Sequence, residues 1–212
     1  MSAIDLSLPA AGELSFETQP EQPLCIQFVN TAATRLPDTI YDYLVDLRTF
    51  ASWCRAAGLI CDDAFADALD GEHAKSSLEL LREARRLREE LYTVFLAASD
   101  GRLGERDLAP INHYIGDAGL RPRLALVENR PRLAWSSNGN LRGTLSRIAV
   151  SAAETLAAGV TGRIIVCESP HCEWLAIDTS RNHSRRFCSS VGCGNRARAR
   201  RFYRRTRNLP IG

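Results

Sequence analysis

The sequence lacks any long apolar run, and no stretch approaches the roughly 20 consecutive apolar residues that cross a bilayer as a helix. Residues 1–19 also lack the basic start and apolar centre of a signal peptide, and they carry acidic residues instead. Hydrophobic residues make up 45% of the chain and charged residues 25%, a balance typical of a soluble protein with a core. We therefore expect a cytoplasmic protein with no membrane partner.

The common catalytic patterns are also missing. The sequence has no glycine-rich phosphate loop and no pairing of a histidine with a nucleophile. No paired carboxylates are predicted on one helical face except Asp62–Asp63, which have the position of a helix cap. We therefore do not expect an enzyme.

Acidic residues are absent from residues 179–212, which contain ten arginines. All 25 acidic residues precede this segment, together with the other 17 of the 27 basic residues, so residues 1–178 carry a net charge of −8. The overall net charge of +2 conceals this division. A strongly basic segment beside an acidic body points to a polyanion as the partner of the C-terminal segment.

Cysteine is plentiful, and four of the seven cysteines are spaced C-x4-C-x15-C-x4-C near the C-terminus. Clustered cysteines in a reducing cytosol are more often metal ligands than disulfides, and so short a module has too little core to fold without a staple. We predict one structural Zn²⁺, because four thiolates leave no open position for water. Its ligands would be Cys167, Cys172, Cys188 and Cys193. Two disulfides or four free thiols are the alternative.

The segments around these cysteines predict a small finger over residues 160–212. Residues 164–166 and 173–178 are suited to two strands of a hairpin, and the basic residues after Cys193 predict a helix. A knuckle, a hairpin and a ligand pair that opens a helix together form a treble-clef-like zinc finger. Ala197, Ala199, Phe202 and Tyr203 are predicted to form the side of the helix that packs on the finger.

Residues 21–159 predict an α+β domain that is mostly helical and contains a small antiparallel sheet, preceded by a flexible leader over residues 1–20. Alternation predicts a strand at 24–30, and two further strands lie within 122–137 around a turn. Apolar stripes at helical spacing predict the helices, the first of which begins at Asp38. The predicted helices span residues 38–57, 63–69, 73–99, 105–116 and 141–158.

The N-terminal domain offers one candidate ligand pocket between its sheet and its helices. Asn30 and Thr31 end the predicted first strand, and Trp53 lies on the first helix. The alternative is that these three residues serve packing and capping. No small-molecule signal follows from the residues themselves.

The arginines of the C-terminal segment are candidates for contacts with nucleic acid. Arg196, Arg200 and Arg204 are spaced four apart and fall on one helical face. The guanidinium group suits bidentate contacts with phosphate or guanine, and asparagine is suited to base edges. The full candidate set is Arg181, Asn182, Arg185, Arg186, Asn195, Arg196, Arg200, Arg201, Arg204 and Arg205. The alternatives are docking of the arginines on the acidic N-terminal body, a role in solubility, and a capping role for Asn195.

The run C-G-N-R at 193–196, with D-T-S-R-N at 178–182 and S-R-R-F-C at 184–188, resembles the CGNR zinc-finger family. Upstream, residues 24–31, 43–59 and 87–99 resemble the ABATE domain that commonly precedes that finger. The resemblance covers nearly the whole chain. It implies a bacterial transcription regulator of a stress-induced kind, and it assigns the four zinc cysteines to the same positions as above.

We therefore expect a two-part regulator, with a sensor or oligomerisation domain joined to a DNA-binding finger. One alternative is a module that binds RNA or an acidic protein surface. Another is a thiol redox sensor in which oxidation releases zinc and unfolds the finger. A homodimer and a small-molecule signal are both compatible with the sequence.

Overall fold

A computed structural model describes most of the chain. The described residues are 19, 21–32, 35, 42–69, 74–117, 121–127, 130–136, 141–170 and 172–206. The predicted leader therefore lies outside the description except for Gln19, which is buried. In this part of the chain no helix is long and apolar enough to cross a membrane.

The described chain contains seven α-helices, two 3-10 turns and two small antiparallel sheets. The helices are α1 Leu24–Val29, α2 Leu47–Ala56, α3 Asp62–Leu69, α4 Ala74–Ser99, α5 Ala109–Asp117, α6 Leu141–Ala157 and α7 Cys193–Thr206. The 3-10 turns are Glu105–Leu108 and Thr161–Arg163. The strands are β1 Arg121–Val127, β2 Arg130–Ser136, β3 Ile164–Val166 and β4 Leu175–Ile177. The predicted α+β class, mostly helical with a small antiparallel sheet, is confirmed.

Helix α4 is the centre of the core, because its apolar residues recur every four positions and face inward. Leu87, Leu91 and Phe95 are fully buried on this face, and each contributes roughly 1.5–3 kcal/mol by leaving water. Helices α1, α2, α5 and α6 all contact α4, and α1 also contacts α6. Strand β3 contacts α4 as well, so the C-terminal module shares this core.

The predicted strand at residues 24–30 is wrong, because this segment forms the short helix α1. Cys25, Ile26, Phe28 and Val29 are all buried, at a spacing that fits a helical face and breaks the alternation of a strand. A six-residue segment buried on most sides shows no clear period, so the β-forming residues suggested a strand. Packing against α6 and α4 overrides that preference.

The predicted start of the first long helix is also wrong. Asp38 lies outside the described residues, and residues 42–46 are not helical. Helix α2 begins after Asp46, whose carboxylate accepts a hydrogen bond from Thr49 N at 2.7 Å, while Asp46 N donates to Thr49 Oγ1 at 3.1 Å. This reciprocal capping box satisfies two backbone N–H groups and fixes the helix start there. Leu44 is buried as predicted, but it lies in a non-helical segment before α2.

The remaining predicted elements are confirmed. Strands β1 and β2 form an antiparallel hairpin in which Val127 pairs with Arg130. Strands β3 and β4 pair antiparallel in the C-terminal module, with Val166 opposite Leu175. The sequence-predicted helices that correspond to α3, α4, α6 and α7 all appear, with ends shifted by at most one residue. The helix predicted over residues 105–116 also appears, but its first four residues form the 3-10 turn Glu105–Leu108, so that α5 begins at Ala109.

Candidate metal centre and basic helix

Two loops bring the four predicted zinc ligands together. Cys167 follows β3, Cys172 lies in the turn before β4, Cys188 ends the long loop, and Cys193 opens α7. All four Sγ atoms lie within 4.8 Å of one another. The Sγ of Cys172 is 3.7 Å from that of Cys188 and 3.6 Å from that of Cys193.

These distances test whether the residues fit a metal ion. Zinc–thiolate bonds of about 2.3 Å at tetrahedral angles place the sulfurs about 3.8 Å apart. The two sulfur–sulfur distances are close to that value, and four thiolates are a preferred donor set for structural Zn²⁺. The cluster therefore fits one zinc ion in a closed, structural site.

The ionisation of the thiols is consistent with such a site. Hydrogen bonds from Cys172 and Cys188 lower the pKa of Cys167. The contact with Cys167 raises the pKa of Cys172 and also that of Cys188. Four thiolates this close repel one another, and a divalent cation is the group that allows all of them to be deprotonated together.

Backbone hydrogen bonds shape the first ligand loop. Cys167 N donates to Trp174 O at 2.8 Å, which extends the β3–β4 hairpin to the first ligand. Cys172 N donates to Ser169 O at 3.1 Å and closes the turn between the two cysteines. The loop geometry is thus held by the backbone, and the side chains of both cysteines remain available for the metal.

The residues of the C-G-N-R run each have a local role at the second ligand loop. Cys193 is a ligand, and Gly194 N donates to Ser189 O at 2.9 Å. A Cβ at Gly194 would lie 3.1 Å from Ser189 O, tighter than most such contacts, which explains the glycine. Arg196 Nη2 donates to the Cys193 sulfur at 3.0 Å. Asn195 is the third residue of α7, and its Oδ1 accepts a hydrogen bond from Arg198.

Arg196 therefore contacts a metal-ligating sulfur directly. A guanidinium group beside a thiolate stabilises its negative charge and fixes its orientation, as groups behind metal ligands commonly do. This contact gives Arg196 a partner inside the finger, although the sequence places it among candidates for nucleic-acid contact.

Hydrogen bonds of Asp178 and Arg185 hold the long loop before Cys188. Asp178 accepts hydrogen bonds from Ser180 N at 2.8 Å and Arg185 N at 2.9 Å. The hydrogen bond from the Ser180 hydroxyl is the main cause that lowers the pKa of Asp178 to about 2. Arg185 in turn donates to the carbonyl oxygens of Phe187 and Cys188. Its side chain is only 19% exposed, so this arginine holds the loop.

Most of the exposed candidate arginines lie beyond the first turn of α7. Arg186 pairs with Glu168, and Arg198 donates to Ser190 O. Within the part of the chain that the structure describes, the side chains of the other candidates are exposed and make no hydrogen bond or ion pair. They are Arg181, Asn182, Arg200, Arg201, Arg204 and Arg205.

The prediction that one side of the basic helix packs on the finger is wrong for its aromatic residues. Only Cys193 and Gly194 of α7 are buried. Phe202 is 64% exposed and Tyr203 is 62% exposed. The helix is fixed by its first turn at the metal centre, and its remaining length, at 1.5 Å per residue, extends from the finger.

A contact surface between the finger and the N-terminal helices, which the sequence did not reveal, lies along β4. Asn30 Oδ1 accepts from Leu175 N, and Asn30 Nδ2 donates to Leu175 O, both at 2.9 Å. Gln22 Oε1 accepts from Ile177 N at 2.7 Å. The two side-chain amides thus take the place of a neighbouring strand on β4.

Two further bonds join the same surfaces. Trp174 Nε1 donates to Ala32 O at 2.8 Å, and Gln19 Nε2 donates to Cys188 O at 3.0 Å. Both donors are buried. The metal centre is consequently fixed to the N-terminal helices through its hairpin and through the residue that ends its loop.

The three residues of the candidate pocket have protein partners. Asn30 is bonded to β4, and Thr31 Oγ1 donates to Phe28 O at 2.7 Å in the manner of a helix cap. Trp53 is buried with its ring 5.2 Å from that of Phe28. These contacts favour the packing and capping interpretation, and a ligand pocket at this place stays a prediction.

The arrangement defines a zinc-finger protein in which a helical domain carries a treble-clef-like module with a basic helix. Comparison with known families gives the same two parts. Residues 22–159 match ABATE, described as "Putative stress-induced transcription regulator", and residues 163–206 match the CGNR zinc finger. The chain belongs to the ABATE family and carries a CGNR zinc finger, whose four clustered cysteines hold one structural zinc ion. A search of curated proteins found no significant match.

Proposed function

We propose that this regulator binds duplex DNA through the exposed arginines of α7. The observation that carries the proposal is the state of four arginines beyond the first turn. The side chains of Arg200, Arg201, Arg204 and Arg205 are exposed and have no hydrogen bond or ion pair among the described residues. Such guanidinium groups are free to contact phosphates and base edges, as Arg commonly does in DNA complexes.

Rigid presentation of these arginines supports the same function. The first turn of α7 contains the ligand Cys193 and the close contact at Gly194, and the finger is bonded to the N-terminal helices through Asn30 and Gln22. A helix held at one end in this way loses little further freedom on binding, which lowers the cost of association. Arg181 and Asn182, on the exposed loop, extend the same binding surface in our proposal.

The alternative use of the arginines is docking on the acidic N-terminal body. That body does engage one basic residue of the segment, since Arg185 lies 3.6 Å from Glu21. The four arginines named above make no such pair among the described residues. Their charge is therefore available to an external polyanion, and DNA is the polyanion that a transcription regulator meets.

We propose that the N-terminal domain acts as the sensor or oligomerisation part of the regulator. We also propose that the protein works in the cytoplasm. Both matched families describe a regulator and a zinc finger, and neither describes an enzyme. The hydrogen bonds between the side-chain amides of Asn30 and Gln22 and strand β4 provide the physical connection between this domain and the finger.

The salt dependence of DNA binding tests the proposal. Four phosphate contacts predict a slope of about −3.6 in log K against log salt, or roughly 150-fold weaker binding at 200 mM than at 50 mM. Arg200→Ala with Arg204→Ala should reduce the slope to about −1.8 and the change to roughly 12-fold. Fluorescence anisotropy with a labelled 30-base-pair duplex measures both.

A matched control removes the same charge from another surface. Arg82 and Arg106 are exposed arginines of the N-terminal domain, and their double alanine variant should keep the wild-type slope. Equal slopes for the wild type and the α7 variant, or an equal effect of the control, would refute the assignment of α7.

A further inference from the structure

Helix α7 carries an exposed pair of aromatic side chains that no function described so far uses. The rings of Phe202 and Tyr203 are in edge contact, with centroids 6.0 Å apart. Both are more than 60% exposed, and the buried residues of this helix are eight or more positions away. Large exposed rings add little to the stability of the fold, and such patches commonly mark interaction sites.

Arginines surround this pair on the helix surface. Arg198 and Arg205 are four and three residues from Phe202, and Arg200 is three residues from Tyr203. Residues three or four apart are neighbours on a helix. A partner of the rings therefore also meets several guanidinium groups, and it has to be an anion with flat apolar faces.

This requirement separates the candidate partners. A second copy of the same helix would bring like charges together, which disfavours association. An anionic lipid surface needs a broad apolar face, whereas the other apolar residues between 195 and 206 are the small Ala197 and Ala199. Paired duplex DNA supplies phosphates but keeps the faces of its bases stacked. DNA with unpaired bases supplies both phosphates and open base faces.

We infer that α7 recognises DNA that contains unpaired bases, with Phe202 and Tyr203 stacking on the bases and the adjacent arginines contacting the phosphates. The inference rests on the proposed function and makes its ligand more specific. Aromatic stacking on bases is tolerant of sequence, since every base has a flat face. The site accordingly prefers unpaired bases to paired ones, whatever the sequence of the strand.

Three DNAs of one sequence test the inference: a full duplex, the same duplex with a central unpaired bubble, and a single strand. The full-length zinc-loaded protein should bind the bubble and the single strand at least tenfold more tightly than the duplex. Phe202→Leu with Tyr203→Leu keeps apolar side chains but removes the rings. This variant should lose about tenfold in affinity per ring for unpaired DNA and stay within about twofold on the duplex.

A swapped variant, Phe202→Tyr with Tyr203→Phe, is the matched control, because it keeps two rings in place and should retain the preference. A 2-aminopurine in the bubble reports stacking directly, and its fluorescence should change with the wild type but not with the leucine variant. Far-UV circular dichroism checks that the helix is intact.

Equal affinity for bubble and duplex, or an unaffected leucine variant, would overturn the stacking inference and leave duplex binding standing. Absence of binding to all three DNAs would overturn the proposed function together with the inference. Ring-dependent binding to phosphatidylserine–phosphatidylcholine vesicles, without preference among the DNAs, would assign the rings to a lipid surface instead and overturn the inference.

Discussion

Replacement of Asn30 by alanine should separate the finger energetically from the N-terminal helices. Asn30 is 5% exposed, and its side-chain amide forms hydrogen bonds with both the N–H and the carbonyl of Leu175, each at 2.9 Å. The variant leaves these two buried backbone groups without partners, and each such group costs roughly 1–3 kcal/mol. We expect a loss of about 2–4 kcal/mol in the free energy of unfolding, with some water reaching β4. For a chain of this length the loss corresponds to about 4–16 °C in Tm.

Urea unfolding followed by circular dichroism, in excess zinc so that metal binding contributes equally, measures this loss. Gln27→Ala is the matched control, because Gln27 lies on helix α1 and its Nε2 donates a hydrogen bond to Gln22 O at 2.9 Å, without reaching the finger. The control should lose about 1 kcal/mol or less. If Asn30→Ala costs no more than Gln27→Ala, the contact along β4 does not carry the energy that we assign to it.

Three further perturbations test the metal centre and the core. Removal of the single zinc with a chelator should lower Tm and reduce the helical signal of α7, because metal binding and folding of such a module are coupled; an unchanged spectrum in metal-free protein would contradict the site. Arg196→Ala removes the donor to the Cys193 sulfur and should weaken zinc binding about 10- to 100-fold in competition with a chromophoric chelator, whereas Arg198→Ala should not. Burial by itself raises the pKa of Asp42, but the hydrogen bonds and charge of Arg88 outweigh burial and hold it below 3.8. The stabilisation from Asp42 is therefore complete above about pH 4 and is lost as the pH falls through the lowered pKa. The difference in the free energy of unfolding between wild type and Asp42→Asn, measured by urea unfolding, should therefore shrink below pH 4. A constant difference would exclude the Asp42–Arg88 pair as its source.

The metal centre was predictable because its information is local in sequence. Four cysteines within 27 residues have a spacing that few other structures require, and the hairpin and basic helix between and after them have clear periods. Long amphipathic segments such as α4 and α6 were predictable for the same reason. Asp46 and Thr49, which form the capping box of α2, are also a local signal in the sequence, although Asp38 predicts a different start.

The features that could not be predicted depend on partners distant in sequence. Asn30 and Leu175 are 145 positions apart, and no local pattern indicates that an amide will bond a strand of another module. The same holds for Arg186, whose partner Glu168 comes from the first ligand loop. The sequence predicts a strand where helix α1 forms, because packing on several sides removes the polar face that would show the helical period.

The contact along β4 also limits how a signal can reach α7, the helix that we propose binds DNA. Asn30 supplies two bonds, Gln22 one and Trp174 one, and at a net 0.5–1.5 kcal/mol each they contribute about 2–6 kcal/mol. Coupling between two sites in a protein is typically 1–3 kcal/mol. A signal that pulls the finger away from the N-terminal helices would have to supply most or all of the energy of this contact, about 2–6 kcal/mol. A signal that changes the spacing of two fingers in a dimer would leave these bonds intact, and it therefore requires less energy.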